Sequence, residues 1–294
     1  MFLKPILALA FLFPVLFLPA VADDFPALPG KRYDVGGYSI HMLCKGQGEP
    51  TVLIDAGLGD DSSDWFAIQN KSSVDTRTCV FDRPGYGWSD AGPQPRNSLI
   101  ISNEISKLVQ KAKIPGPYVL VGHSFGGYNM RVFAAKHPQQ IAGMVLVDAS
   151  HESQYEKLNI KLPKHFDRKG NILILPKSSD TVSDKAQVLQ ERAFHAARAE
   201  ISSLYQSTLQ VKRYHDLPRV PLIVISRGLS EWKDRDDAEV REKIWVRLQQ
   251  DLWKLSPISQ HIFANSSGHD IHLAQPDLIV GAIADVVSMS RVMN

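Results

Sequence analysis

A serine set between two glycines, and a lone histidine far downstream, carry the clearest chemical potential in this chain. Ser124 stands in Gly122-His-Ser-Phe-Gly126, a G-x-S-x-G match. The preceding run Tyr118-Val-Leu-Val121 suits a strand buried on both faces. Beyond it, Tyr128, Val132 and Ala135 fall at helical spacing, which predicts a helix over Phe125 to His137. Strand, sharp turn and helix is the setting that lifts such a serine clear of the sheet with its hydroxyl exposed. The turn leaves no room for side chains at 122 and 126, and glycine has none. Alone, the five-residue match also fits an ordinary strand-to-helix turn; the flanking pattern points to a nucleophile.

A serine hydroxyl is a poor nucleophile at neutral pH until a base takes its proton. His269, in Ser267-Gly-His269 after a short strand over Gln260 to Ala264, is the candidate base. Its order, histidine after serine, fits the same setting. His272 lies three residues on and reads as a surface or packing residue. His123 adjoins Ser124, but neighbouring side chains at a sharp elbow diverge, so it reads as scaffold. No C-x-x-C motif and no tight His/Cys cluster suggests a metal, and no cofactor is expected.

These residues need a frame, and the chain alternates apolar strands with amphipathic helices. Thr51 to Asp55, Thr76 to Phe81, Ile141 to Asp148 and Val220 to Ser226 read as buried strands. Helices are predicted between Asn97 and Lys113, near Ala238 to Lys254, and from Pro276 onward. Lys31 to Val35 and Tyr38 to Cys44 flank Gly36-Gly37 as a hairpin. Alternation of this kind predicts an α/β fold whose mostly parallel sheet is covered on both faces. The rhythm breaks at about Ser150. Residues 151–218 are charged, hold at least one amphipathic helix through Ala193, Ala197 and Leu204, and read as a cap inserted between core segments 23–150 and 219–294.

Lys4 precedes an uncharged greasy run from Pro5 to Pro19 and then Ala20-Val-Ala22. This predicts a signal peptide over residues 1–22 and an exported, periplasmic or secreted, mature chain; an uncleaved anchor is the alternative. Membrane contact is expected only through this segment during export. The formal net charge is +2 with no long basic run, which leaves nucleic-acid binding without support. The two cysteines, Cys44 and Cys79, would more often be bridged than free in an exported protein.

The chain resembles the α/β-hydrolase fold family throughout its mature part. The resemblance rests on Gly122-His-Ser-Phe-Gly126, Asp82-Arg-Pro-Gly-Tyr-Gly-Trp-Ser89, Leu146-Val-Asp-Ala-Ser-His151 and Ser267-Gly-His269, in that family's order. It implies an eight-stranded sheet with a helical cap and cofactor-free hydrolysis of a small-molecule ester or related acyl compound. Serine at the elbow, in place of aspartate, argues against dehalogenase and epoxide chemistry. The resemblance also implies an oxyanion hole from the N–H groups of Phe125 and Leu58, although Ala56-Gly57-Leu58 departs from the His-Gly of many relatives. It places the strands bearing Cys44 and Cys79 side by side. Asp82 to Ser89 is read as a bracing loop, with no role given to Arg83 or Ser89.

The acid that orients His269 must lie between Ser124 and His269 in the family's order. Asp148, ending a wholly apolar strand, is preferred, because a buried carboxylate there needs a partner. Glu231 is the alternative, with Asp234, Asp236 and Asp237 behind it. Phe194, Leu204 and Tyr205 are expected either on the acyl side of the pocket or in packing between cap and core. Carboxylesterase, lipase, thioesterase, lactonase and acyltransferase would share this triad. The rival class, a non-catalytic binding member of the fold, would be expected to lose the serine, the histidine or the glycines, and all are present.

Overall fold

Val52 and Ile54 point to one side of their strand and Leu53 to the other, yet all three are buried. Such a strand needs helices on both faces. The computed structural model, which describes residues 28–162 and 184–293, shows them. The strands are β1 (Lys31–Asp34), β2 (Ser39–Lys45), β3 (Thr51–Asp55), β4 (Thr78–Phe81), β5 (Tyr118–His123), β6 (Ile141–Val147), β7 (Leu222–Arg227) and β8 (Ser259–Ala264). They form one sheet in the order β1-β2-β4-β3-β5-β6-β7-β8. Only the pairings of β2 with β1 and with β4 are antiparallel. The helices are α1 (Phe66–Ser72), α2 (Ser98–Ala112), α3 (Phe125–Lys136), α4 (Gln154–Lys157), α5 (Asp184–Ser202), α6 (Leu204–Arg213), α7 (Ala238–Trp253), α8 (Ile271–Ala274) and α9 (Pro276–Met293).

The two faces have separate cores. Val52, Ile54, Val119, Val121, Val145 and Val147 pack against Trp65, Ile68 and the α9 residues Ile279, Ile283 and Val286. On the other face Leu53, Leu120 and Leu146 pack with Ile105 and Leu108 of α2 and Tyr128, Val132 and Phe133 of α3. Helix α3 is buried from Phe125 through Ala134, because α2 and α6 cover what the sheet leaves. This all-round burial explains its even distribution of apolar residues, unlike the one-sided pattern of α2.

The ends follow local chemistry. Asn97 caps α2 by accepting the Ile100 N–H at 3.1 Å, and Lys113 closes it in the left-handed region. Cys44 and Cys79 face each other in register on β2 and β4 and are joined by a disulfide. Helices α4, α5 and α6 lie between β6 and β7, where the alternation of the sequence breaks. Leu204 packs into the core with α2 and α3, which answers to the packing reading of that residue. The predicted signal peptide, and residues 163–183 of the predicted cap, lie outside the described residues. No helix among the described residues is long and apolar enough to cross a membrane.

Candidate active site

Ser124 sits between the last residue of β5 and the first of α3, with φ 50° and ψ −119°. A side chain holds that conformation only where its surroundings enforce it. Ser124 N–H donates to Val147 O at 3.2 Å, and Ser124 O accepts from Gly127 N–H at 3.1 Å and Ser150 N–H at 2.9 Å. The glycines allow the close approach. A Cβ on Gly126 would lie 2.3 Å from Asp55 O, and one on Gly122 would lie 2.7 Å from the Gly127 Cα.

Strand β6 ends beside β5, with Val147 in register with His123, so Asp148 emerges next to the elbow. Asp148 has φ 37° and no solvent exposure. Its Oδ2 lies 2.6 Å from His269 Nδ1. A carboxylate only accepts, so that nitrogen carries the proton and Nε2 is left as the basic atom. Asp148 also accepts from Trp245 Nε1 at 2.7 Å and from the Arg227 guanidinium at 3.1 Å and backbone N–H at 3.2 Å. Burial alone would raise the Asp148 carboxyl, but the His269 hydrogen bond and the Arg227 charge outweigh it and hold it below its ordinary value. Arg227 is itself paired with Glu242 through two hydrogen bonds, so its charge is shared between two carboxylates. Burial works against charging His269, and the hydrogen bond and charge of Asp148 more than offset it. The imidazole is therefore raised.

Glu231 also reaches this loop, but by another atom. Its Oε1 accepts the backbone N–H of His269 at 2.8 Å. The structure thus brings Asp148 to the ring and Glu231 to the main chain; Asp237 pairs with Arg235 and Arg241 instead. His123 is buried, and its Nε2 donates to the His269 carbonyl at 3.1 Å, so the scaffold residue next to the serine holds the loop of the candidate base. His272 is buried in α8 and stacks on Trp65, with ring centres 4.9 Å apart and an interplanar angle of 4°. Burial, with His123 beside it, pushes its imidazole down to about 4.

Phe125 N–H opens α3 and Leu58 N–H lies in the loop after β3. Among the described residues neither has a protein acceptor. The Leu58 loop is pinned by Arg83, which donates to Ala56 O at 2.7 Å, Gly57 O at 2.8 Å and Asp55 Oδ1 at 2.7 Å. The same guanidinium is gripped by Glu200 of α5 at 2.7 and 3.1 Å, and Tyr86 donates to Glu200 at 2.8 Å. The remaining Asp55 oxygen accepts from Asn129 of α3 at 2.8 Å.

Arg83 and Glu200 both lie outside the motifs read from the sequence as catalytic. A signal existed: Glu200 falls on the apolar face of α5, at helical spacing from Ala193, Ala197 and Leu204, where a lone carboxylate needs a buried partner. Trp245, on the buried face of α7 with Leu248 and Leu252, is the other omission. Its indole N–H had to find an acceptor, and Asp148 is that acceptor.

Comparison with known proteins agrees with this frame. An uncharacterized Bacillus subtilis protein, YqjL, is 26% identical over 259 residues, 87% of this chain and 91% of its own. An uncharacterized Schizosaccharomyces pombe protein is 34% identical over 157 residues, 43% of this chain but only 29% of its own length. Among solved structures, a thermophilic esterase from Thermogutta terrifontis superposes with a TM-score of 0.62 at 17% identity, over 88% of this chain and 98% of its own. An enol-lactonase from Burkholderia xenovorans gives 0.62 at 16%, over 88% and 100%. At such identities the likeness is one of fold. The profile of the alpha/beta hydrolase fold matches residues 50–281, and the chain belongs to that family.

Proposed function

We propose that the protein is an exported serine hydrolase that cleaves carboxylic esters through an acyl-enzyme. The observation that carries this reading is the 2.6 Å contact of His269 Nδ1 with buried Asp148, beside a Ser124 held at φ 50°. Ser124 Oγ attacks the ester carbonyl while His269 Nε2 takes its proton. Asp148 keeps the ring in the tautomer that leaves Nε2 free and stabilises the imidazolium that forms. The N–H groups of Phe125 and Leu58 receive the developing oxyanion, where one such donor is worth about 2.7–4 kcal/mol. The imidazolium then protonates the leaving alkoxide. Water, deprotonated by the same nitrogen, releases the acid and restores Ser124.

A cyclic ester would open by the same steps, and the likeness in fold to an enol-lactonase makes lactone hydrolysis the second reading. Export rests on the signal-peptide pattern of residues 1–22. Hydrolysis of p-nitrophenyl esters of increasing chain length, with Ser124→Ala as control, tests the reaction. Turnover that disappears in the variant is expected. Equal turnover in the variant would place the chemistry elsewhere, and release from lactones alone would favour the second reading.

A further inference from the structure

Beside the elbow, three side chains from distant parts of the chain converge on one point. Asp60, His123 and His272 each turn one ligand atom inward, and these atoms lie within 4.8 Å of one another. His123 and His272 are 1% and 3% exposed, and the Nδ1 of each is buried without a hydrogen-bond partner.

The protons settle what His123 offers. Its Nε2 faces the carbonyl of His269, which only accepts, so that nitrogen carries the hydrogen. In the neutral ring Nδ1 is then a bare lone pair, and it faces Asp60 Oδ2 at 3.4 Å. Two acceptors facing each other at this distance repel unless a proton or a metal cation lies between them. The spacing is long for a charge-assisted hydrogen bond, which runs about 2.7–2.9 Å. For this pair it matches the separation of two ligands on a tetrahedral ion whose bonds are about 2.0–2.1 Å, and the third donor, which lies within 4.8 Å, must draw in to the same separation when one ion is bound. Gly57 leaves the space open: a Cβ there would come within 2.6 Å of Asp60 Oδ2 and 2.7 Å of His123 Nδ1. Trp65, fully buried, stacks over His272 and fixes its ring.

We propose that Asp60, His123 and His272 form a binding site for one divalent transition-metal ion of the zinc type. Two imidazoles and one carboxylate are the donor set that Zn²⁺ takes, with a fourth position left for water. Asp60, its side chain 28% exposed, provides the way in. The ligands come from the loop that bears Leu58, the residue before Ser124, and the helix after His269. A bound ion ties those three segments together. The site stands on its own donors and does not depend on the esterase reading.

The test uses the intact protein stripped with a chelator and titrated with ZnCl₂, and separately with CoCl₂, whose visible absorption reports ligand number and geometry. The wild type is expected to bind one ion per chain, to show the bands of a four-coordinate nitrogen–oxygen site, and to melt at a higher temperature with zinc. Asp60→Asn and His272→Phe, the latter keeping a ring against Trp65, are each expected to weaken binding at least about a hundredfold and to abolish the thermal shift. Equal zinc affinity in the wild type and both variants would overturn the proposal. So would the absence of stoichiometric binding, the outcome expected if a proton on His123 occupies the gap.

Discussion

Asp148 Oδ2 accepts from His269 Nδ1 at 2.6 Å, while Glu231, the rival carboxylate, accepts from the His269 main-chain N–H at 2.8 Å. The two acids divide the work on one residue. Asp148 fixes the ring and Glu231 fixes the loop that carries it. Asp148→Asn leaves an amide that can present its N–H to the imidazole, which favours the wrong tautomer. It is expected to lower kcat by on the order of 10⁴. Glu231→Gln keeps an oxygen for the backbone N–H and is expected to cost on the order of 1 kcal/mol at most. Steady-state kinetics on the two amide variants decides between them, and the reverse ranking would move the acid to Glu231.

Arg83 is expected to matter to folding before it matters to turnover. Its guanidinium and the carboxylates of Asp55 and Glu200 are almost wholly buried. Arg83→Met leaves two buried charges unpaired, and breaking a buried pair typically costs about 3–5 kcal/mol. Denaturant unfolding should show a loss of that order, and adding Glu200→Gln should recover part of it. An unchanged midpoint in Arg83→Met would mean that the cluster is not the brace described.

The disulfide between β2 and β4 closes a 35-residue separation. Its loss should cost about 3–4 kcal/mol. Replacing Cys44 and Cys79 together with serine should lower the unfolding midpoint accordingly, and the unreduced wild type should resist alkylation under denaturing conditions.

Acid stability is expected to depend on Glu152. Burial raises its carboxyl, but the charge and hydrogen bonds of Arg131 outweigh this and lower it to about 2. A carboxylate lowered on folding contributes stability that is full above its unfolded value and is lost as pH falls through its folded one. Wild type should therefore be more stable than Glu152→Gln at neutral pH, with the gap closing between about pH 4.5 and pH 2. A gap that stays constant with pH would rule out this origin.

Much of the frame was legible because its signals are local. Thr51–Asp55 is the strand its apolar run predicts, Asn97 and Lys113 bound α2, and Pro276 opens α9. The elbow was legible for the same reason, since its glycines lie two residues either side of Ser124. Helix α1 was not foreseen: its buried residues Ile68, Gln69 and Ser72 include two polar ones, which blurs the apolar period. The Arg83–Glu200 pair, the grip of Trp245 and Arg227 on Asp148, and the convergence of Asp60, His123 and His272 depend on contacts across long stretches of chain. The spacing of Glu200 on α5 marks a carboxylate that needs a buried partner, but no spacing in the sequence names the partner in any of these contacts.

The central claim, that Ser124 is the nucleophile, is tested most directly by trapping it. A fluorophosphonate forms a stable adduct only with a serine activated by its base. Incubation of the intact protein followed by peptide mass spectrometry should find one adduct, on the peptide bearing Ser124. Labelling should be lost in Ser124→Ala and strongly slowed in His269→Ala. Labelling that persists in Ser124→Ala, or an adduct on another residue, would contradict the account.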